Sequence, residues 1–88
     1  MKIENNFFNW SKEKNILLKK ERDIGFEDVI LAIFEDRLLD IIEHPNQQKI
    51  FVVEIYHYIY LVPFIKKENE IFLKTIIPSR KATKKYLY

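Results

Sequence analysis

Residues 50–65 read "IFVVEIYHYIYLVPFI", sixteen positions in which only Glu54, His57 and Pro63 interrupt an apolar and aromatic run. A helix that crosses a bilayer needs about 20 consecutive apolar residues, so this run is too short and too polar to span one. β-Branched and aromatic side chains dominate it, which favours strand over helix. The segments "KIFVVEIY" (49–56) and "YIYLVPFI" (58–65) nearly abut, which predicts a hairpin turning at Tyr56-His57. The Asn-Gly chemistry that tight hairpins favour is missing at that turn. An antiparallel pair therefore sits at the centre of the expected fold.

The rest of the chain arranges itself around this pair. "FFNW" (7–10) reads as a short strand, and Ser11 as the N-cap of a helix over "KEKNILLKKER" (12–22). Ile16, Leu17 and the Lys20 stem are its expected apolar face. "DIGFEDVILAIFED" (23–36) carries a helical stripe of Phe26, Val29, Ile30, Ile33 and Phe34 at three- and four-residue spacing. Gly25 lies just outside its start, and Glu27 and Asp28 fall in its first turn, where carboxylates complement the dipole. "LLDIIEH" (38–44) reads as a strand stopped by the turn cluster "PNQQ" (45–48). After the loop "KKENE" (66–70), "IFLKTII" (71–77) is a further strand, closed by Pro78-Ser79. "RKATKKYLY" (80–88) completes the chain as a short helix capped by Ser79.

The expected fold class is α+β. Two N-terminal helices pack on an antiparallel β-sheet meander with a short C-terminal helix, in two layers and one domain over residues 1–88. With hairpin turns at 56–57 and 66–70, Tyr58, Tyr60, Val62, Phe64, Phe72 and Lys74 share one sheet face. Ile59, Leu61, Leu73 and Ile77 share the other. The aliphatic face suits the helices, and the tyrosine-and-lysine face suits an exposed, RNA-facing side. Glu54 falls on the aliphatic side, which counts against that register.

Composition narrows the function classes. There is no cysteine, so disulfides, thiolate catalysis and most structural zinc sites are out of reach. With no thiol and no apolar run near the N-terminus, a cytoplasmic location with no membrane association is the expectation. A single glycine excludes a glycine-rich phosphate loop. His44 and His57 are far apart, with no partner at metal-ligand spacing, so neither metal nor cofactor is expected. Both read first as turn residues. Ser11 and Ser79 are the only serines, and both serve as caps, which leaves no hydrolytic triad.

Charge is distributed unevenly. Residues 1–65 hold 8 Lys and Arg against 11 Asp and Glu, and residues 66–88 hold 7 against 2, so the body is at −3 and the tail at +5. Arg80 and Lys81 sit in the first turn of the last helix, where the dipole already presents positive potential. Cations there are unfavourable by about 0.3–1 kcal/mol each unless an anion is present. A helix start with Arg and Lys beside it can hold a phosphate through backbone and side-chain donors together. Internal RNA cleavage needs an aligned 2′-hydroxyl, charge stabilisation at phosphorus and proton transfer. Cations and tyrosines can supply these without a metal, although strand packing is the ordinary role of Tyr56, Tyr58 and Tyr60.

The segments "FNWSKEKN", "IGFEDV" and "IIPSRKATKKY", in that order with a sheet meander before the last, resemble the BrnT-type toxins of bacterial type II toxin–antitoxin systems. The most specific matches are Phe8, Trp10, Lys14, Asn15, then Phe26-Glu27-Asp28, then Arg80-Lys81-Ala82-Thr83. The resemblance implies a RelE-like fold and an endoribonuclease that arrests translation by cutting mRNA. Its implied partner is an antitoxin with a DNA-binding domain. Arg80 and Lys81 match the family's terminal Arg-Lys. Arg22 stands where the family has a histidine, and a guanidinium binds phosphate but shuttles protons poorly. The expected catalytic residues are Arg80, Tyr60 and His57. The expected RNA contacts are Lys19, Lys20, Arg22, Lys74, Lys81, Lys84 and Lys85. A non-catalytic RNA- or partner-binding module of the same fold stands beside this reading, as does a plain structural subunit.

Overall fold

A computed structural model describes residues 6–46 and 48–88. Residues 1–5 of the N-terminal segment and Gln47 of the turn cluster lie outside the described residues. The order is β1 (Phe7–Trp10), α1 (Lys12–Arg22), α2 (Phe26–Phe34), β2 (Leu38–Glu43), β3 (Lys49–Ile55), β4 (Tyr58–Lys67), β5 (Glu70–Leu73), β6 (Ile77–Pro78) and α3 (Arg80–Leu87). The molecule is an α+β domain with three helices and a mixed sheet ordered β1-β5-β4-β3-β2, with β6 also paired to β4. Strands β2 to β5 form the expected antiparallel meander, but β1 lies parallel on β5. Connectivity explains this departure from an all-antiparallel sheet. The chain leaves β1, crosses one face as two helices and re-enters at the far edge. Three reversals then bring β5 back alongside β1 in the same direction. Among the described residues no helix is long and apolar enough to cross a membrane.

The α2 stripe is buried as its spacing predicts at Phe26, Val29 and Ile33, and in part at Ile30, but not at Phe34. Phe26, Val29 and Ala32 are fully buried and Ile33 nearly so, while Phe34 is exposed and meets only the edge of Phe8. Burying each large apolar side chain stabilises the fold by about 1.5–3 kcal/mol. Trp10 stacks on Phe26 with ring centres 5.7 Å apart.

Helix α1 differs from expectation. Ile16 and Leu17 face solvent, and the helix docks through Leu18 and the polar Asn15. Asn15 Oδ1 accepts the Phe26 backbone N–H at 2.7 Å, and its amide donates to both Glu27 carboxylate oxygens. This side chain thereby supplies an acceptor for an N–H at the start of α2, which has no partner within its own helix. Gly25 is needed for room: a Cβ there would lie 2.8 Å from Asn15 Oδ1 and 2.7 Å from Glu27 Oε1.

The sheet has two covered faces, so the architecture has three layers where two were expected. Phe51, Val53, Ile55, Val62, Phe64, Ile71 and Leu73 pack under α1 and α2, with Phe51 and Phe64 stacked at 3.9 Å. Val52 and Ile59, on the alternate face, pack under Ala82, Tyr86 and Leu87 of α3. Tyr58, Tyr60, Val62 and Phe64 do share a face, but Tyr60, Val62 and Phe64 pack against the α1–α2 core. Leu73 joins them as the partner of Phe64, and Phe72 moves to the other face opposite Ile65. The reason is the turn. Lys67 pairs with Glu70, so a two-residue loop replaces the expected 66–70 loop and β5 shifts by one residue, which exchanges its faces. Glu54 lies opposite Ile59 on the α3 side, as the register reading placed it. The strand expected over 71–77 is broken into β5 and β6, and Pro78 pairs with Tyr60 instead of ending the sheet.

The central hairpin turns where expected. Ile55 pairs with Tyr58, and Tyr56 and His57 have φ of 54° and 62°. Left-handed backbone costs roughly 1–2 kcal/mol for an ordinary L-residue.

Candidate nucleic-acid interface

Helix α3 is positioned by its inward residues. Ser79 Oγ accepts the Ala82 N–H at 3.0 Å, which caps the helix. Thr83 Oγ1 accepts the Ile59 N–H at 2.9 Å and donates to the Ser79 carbonyl at 2.7 Å. The Ser79 N–H in turn donates to the Ile59 carbonyl at 3.0 Å. At the other end the Tyr86 hydroxyl donates to Asp40 Oδ2 at 2.8 Å. That hydrogen bond holds the Asp40 carboxyl below its ordinary range and pushes the Tyr86 phenol up. Ala82, Thr83, Tyr86 and Leu87 thus face the sheet, and Arg80, Lys81, Lys84 and Lys85 are left on the solvent face.

Those four cations have little to hold them. Among the described residues none forms an ion pair, although Lys85 lies 5.2 Å from the Tyr86 ring centre. The first turn of α3 has no acidic residue. In α1 the cations Lys19, Lys20 and Arg22 occupy the last turn, where the dipole favours them. The same explanation covers Lys84 and Lys85 in the last turn of α3, so only Arg80 and Lys81, in its first turn, lack it.

The start of α3 lies beside the β3–β4 hairpin. Ser79 is bonded to Ile59, only two strand positions from His57, so the first turn of the helix begins roughly 7 Å of strand from the hairpin tip. Tyr60 is half-buried and pairs with Pro78 in β6. Burial and the neighbouring Tyr58 push its phenol up, and the Arg22 guanidinium acts in the opposite sense. Tyr58 and Tyr60 meet edge to face at 5.7 Å. With its phenol raised, Tyr60 is neutral at ordinary pH and can donate a hydrogen bond or a proton.

The expected catalytic residues do not all gather on one face. Tyr60 lies on the α1–α2 side with Arg22 in electrostatic reach. His57 is almost wholly exposed on the turn, and its Nδ1 lies 3.5 Å from Glu54 Oε2, whose strand position faces the α3 side. Arg80 opens α3 and is exposed. Among the expected RNA contacts, Lys19 is bonded to Glu27 at 3.1 Å, while Lys20 and Arg22 are exposed. Lys74 sits apart: its N–H donates to the Pro63 carbonyl, four residues along β4 from Ile59, or about 13 Å. It lines an open depression of about 940 Å³ with Lys49, Lys66, His44 and Ile65, towards the other end of β4. No group of three or more His, Asp or Glu side chains among the described residues could hold a metal ion.

Several of the residues behind the sequence resemblance prove to be structural. Phe8, Trp10, Asn15, Phe26, Glu27 and Asp28 build the joint between β1, α1 and α2, and Asp28 Oδ2 accepts the Gly25 N–H at 2.9 Å. Ala82 and Thr83 dock α3. Arg80 and Lys81, like Lys14, show no such side-chain role among the described residues. The tethering of Thr83 to Ile59 was not legible in sequence, since a threonine inside a lysine-rich helix gives no sign of a partner 24 residues away. Comparison with family models finds none that matches this chain, and comparison with curated proteins finds no significant similarity.

Proposed function

We propose that this chain is a ribonuclease toxin of RelE-like fold, similar to the BrnT-type toxins, that cuts mRNA and is neutralised by a cognate DNA-binding antitoxin. The single observation that carries the reading is the pair Arg80 and Lys81, in no ion pair among the described residues and placed in the first turn of α3, where the dipole disfavours them. A phosphate backbone would supply the missing negative charge to both the side chains and the helix start. The order of the three sequence motifs supports the same assignment.

In this reading the RNA 2′-hydroxyl attacks the adjacent phosphorus as its proton passes to solvent water, and the bond to the 5′-oxygen breaks to leave a 2′,3′-cyclic phosphate. Arg80 stabilises charge on the phosphorane oxygens. Tyr60, held neutral by burial, is the proton donor to the departing 5′-oxygen. His57 is assigned no proton transfer, since its ring is turned to Glu54.

One observation favours a second reading, a non-catalytic RNA-binding module. Tyr60 and His57 contact opposite faces, and the groups seen to act on Tyr60 among the described residues, Tyr58 and Arg22, include no carboxylate or imidazole to serve as a base for the 2′-hydroxyl. One experiment separates the two. Purified protein is incubated with a defined RNA, and the products are examined for cyclic phosphate ends. Cleavage that Arg80→Ala abolishes, with an unchanged melting temperature, supports the enzyme. Salt-dependent RNA binding without products supports the module. With four phosphate contacts, log K against log salt should fall with a slope of about −3. Binding that ignores salt, or survives replacement of all four α3 cations, overturns both.

A further inference from the structure

We infer that the Tyr56-His57 turn is a nucleobase-stacking platform, with Tyr56 as the ring on which an unpaired base of single-stranded RNA rests. This rests on the RNA reading above and adds to it a contact with the base, where the α3 cations contact only the backbone.

Three observations meet at this turn. First, the loop between Ile55 and Tyr58 has only two residues, and both have positive φ, 54° at Tyr56 and 62° at His57. Such turns select Asn-Gly because those residues enter left-handed backbone easily. Histidine tolerates it better than most, but tyrosine does not. The chain therefore keeps an aromatic side chain where the backbone disfavours it, and strain of this kind tends to persist where a side chain has a task.

Second, the ring is free. Tyr56 is 76 % exposed, and it has no hydrogen-bond, ring or ion partner among the described residues. The second ring of the turn, His57, has its Nδ1 3.5 Å from Glu54 Oε2 and is otherwise open to solvent. Of the other exposed aromatics, Phe7, Phe34 and Tyr88, Phe34 has a ring contact with Phe8.

Third, the platform has cations close by. The Ser79-to-Ile59 hydrogen bond puts the first turn of α3 two strand positions from His57, so Arg80 and Lys81 begin beside the turn. Successive phosphates on a single strand lie within reach of such an arrangement, with the intervening base free to stack. Cationic tracks with aromatic platforms are how proteins hold single strands without reading sequence.

The test replaces Tyr56→Asn together with His57→Gly, the residues that the turn geometry prefers. Affinity for a short single-stranded 2′-O-methyl RNA is measured by fluorescence anisotropy, beside an abasic strand of equal length. The melting temperature is measured in parallel. The double variant should melt several degrees higher, because the backbone strain is relieved. It should bind the base-bearing strand roughly ten-fold more weakly or worse, and the abasic strand as the unaltered protein does. Tyr56→Phe alone should keep nearly full affinity, and serves as the check if the double variant folds poorly. Unchanged affinity of the double variant for the base-bearing strand overturns the platform and leaves the RNA reading standing. Equal loss on both strands also overturns it, since the turn then contacts backbone. An unaltered protein that binds neither strand at any salt overturns the RNA reading and the platform with it.

Discussion

Helices α2 and α3 cover opposite faces of one sheet and begin with opposite charges. α2 begins with Glu27 and Asp28, the residues its dipole favours, and Asp28 and Asn15 each take up a backbone N–H at its start. α3 begins with Arg80 and Lys81, which its dipole disfavours, and has no acid in its first turn. α2 buries Phe26, Val29 and Ile33 in the larger core, while α3 rests on Val52 and Ile59 through a smaller patch. The difference separates two tasks. α2 is optimised for folding, and its charges are accounted for by the fold. The first-turn charges of α3 are not, and that deficit is what a ligand of negative charge would complete.

The largest effect should come from the α2 side. Phe26→Ala removes a fully buried ring that stacks on Trp10, and should cost about 3–5 kcal/mol in a denaturant melt. A loss no larger than that of a surface substitution would break the assignment of α2 as the main core helix.

Next are the two polar tethers, one for each helix. Asn15→Ala leaves the Phe26 N–H without its acceptor, and Thr83→Val does the same to Ile59 N–H. Each should cost about 1–3 kcal/mol. Thr83→Val should also weaken RNA binding, because α3 loses its registration on β4, whereas Asn15→Ala should leave binding intact in the folded fraction. The same binding loss in both would blur the division between the faces.

A charge exchange sharpens the contrast directly. Arg80→Glu should raise stability by about 0.3–1 kcal/mol at low salt while abolishing RNA binding. Glu27→Lys should lower stability, since it puts a cation at a helix start beside Lys19 and removes the acceptor of the Asn15 amide. Matching signs for the two variants in thermal melts would contradict the dipole account.

The smallest effect is in pH. Burial acts to raise the Glu27 carboxyl, but hydrogen bonds from Asn15 and Lys19 outweigh it and hold the group below its ordinary 4.5. A carboxyl depressed in the folded state contributes stability above its unfolded value and loses it as pH falls through the folded one. Melting temperature should therefore fall below about pH 4.5 by a part that Glu27→Gln removes. An identical acid slope in the variant would show that the carboxylate contributes nothing.

The sequence made some of this legible and hid the rest for identifiable reasons. The α2 stripe was readable because buried residues on one helix repeat at its own period. The docking face of α1 was not, because half of it is Asn15, whose burial depends on an N–H eleven residues away. The tail cations were conspicuous in one dimension. The lack of ion pairs to them among the described residues, the reach of Lys85 to Asp40 and that of Arg22 to Tyr60 exist only once α1, β2, β4 and α3 are brought together.

By itself, the sequence determined the three helices and the strands up to the central hairpin, where that hairpin turns, which residues cap α1 and α3, and where the positive charge is concentrated. Those are local properties, set by side-chain periodicity and by backbone groups a few residues apart. Tertiary structure alone decided which sheet face each helix covers, that β1 pairs in parallel, and that the tyrosine strand faces inward at Tyr60. A strand alternates its side chains but carries no label for inside. Only turn length and the competition of whole faces for the same helices can assign one.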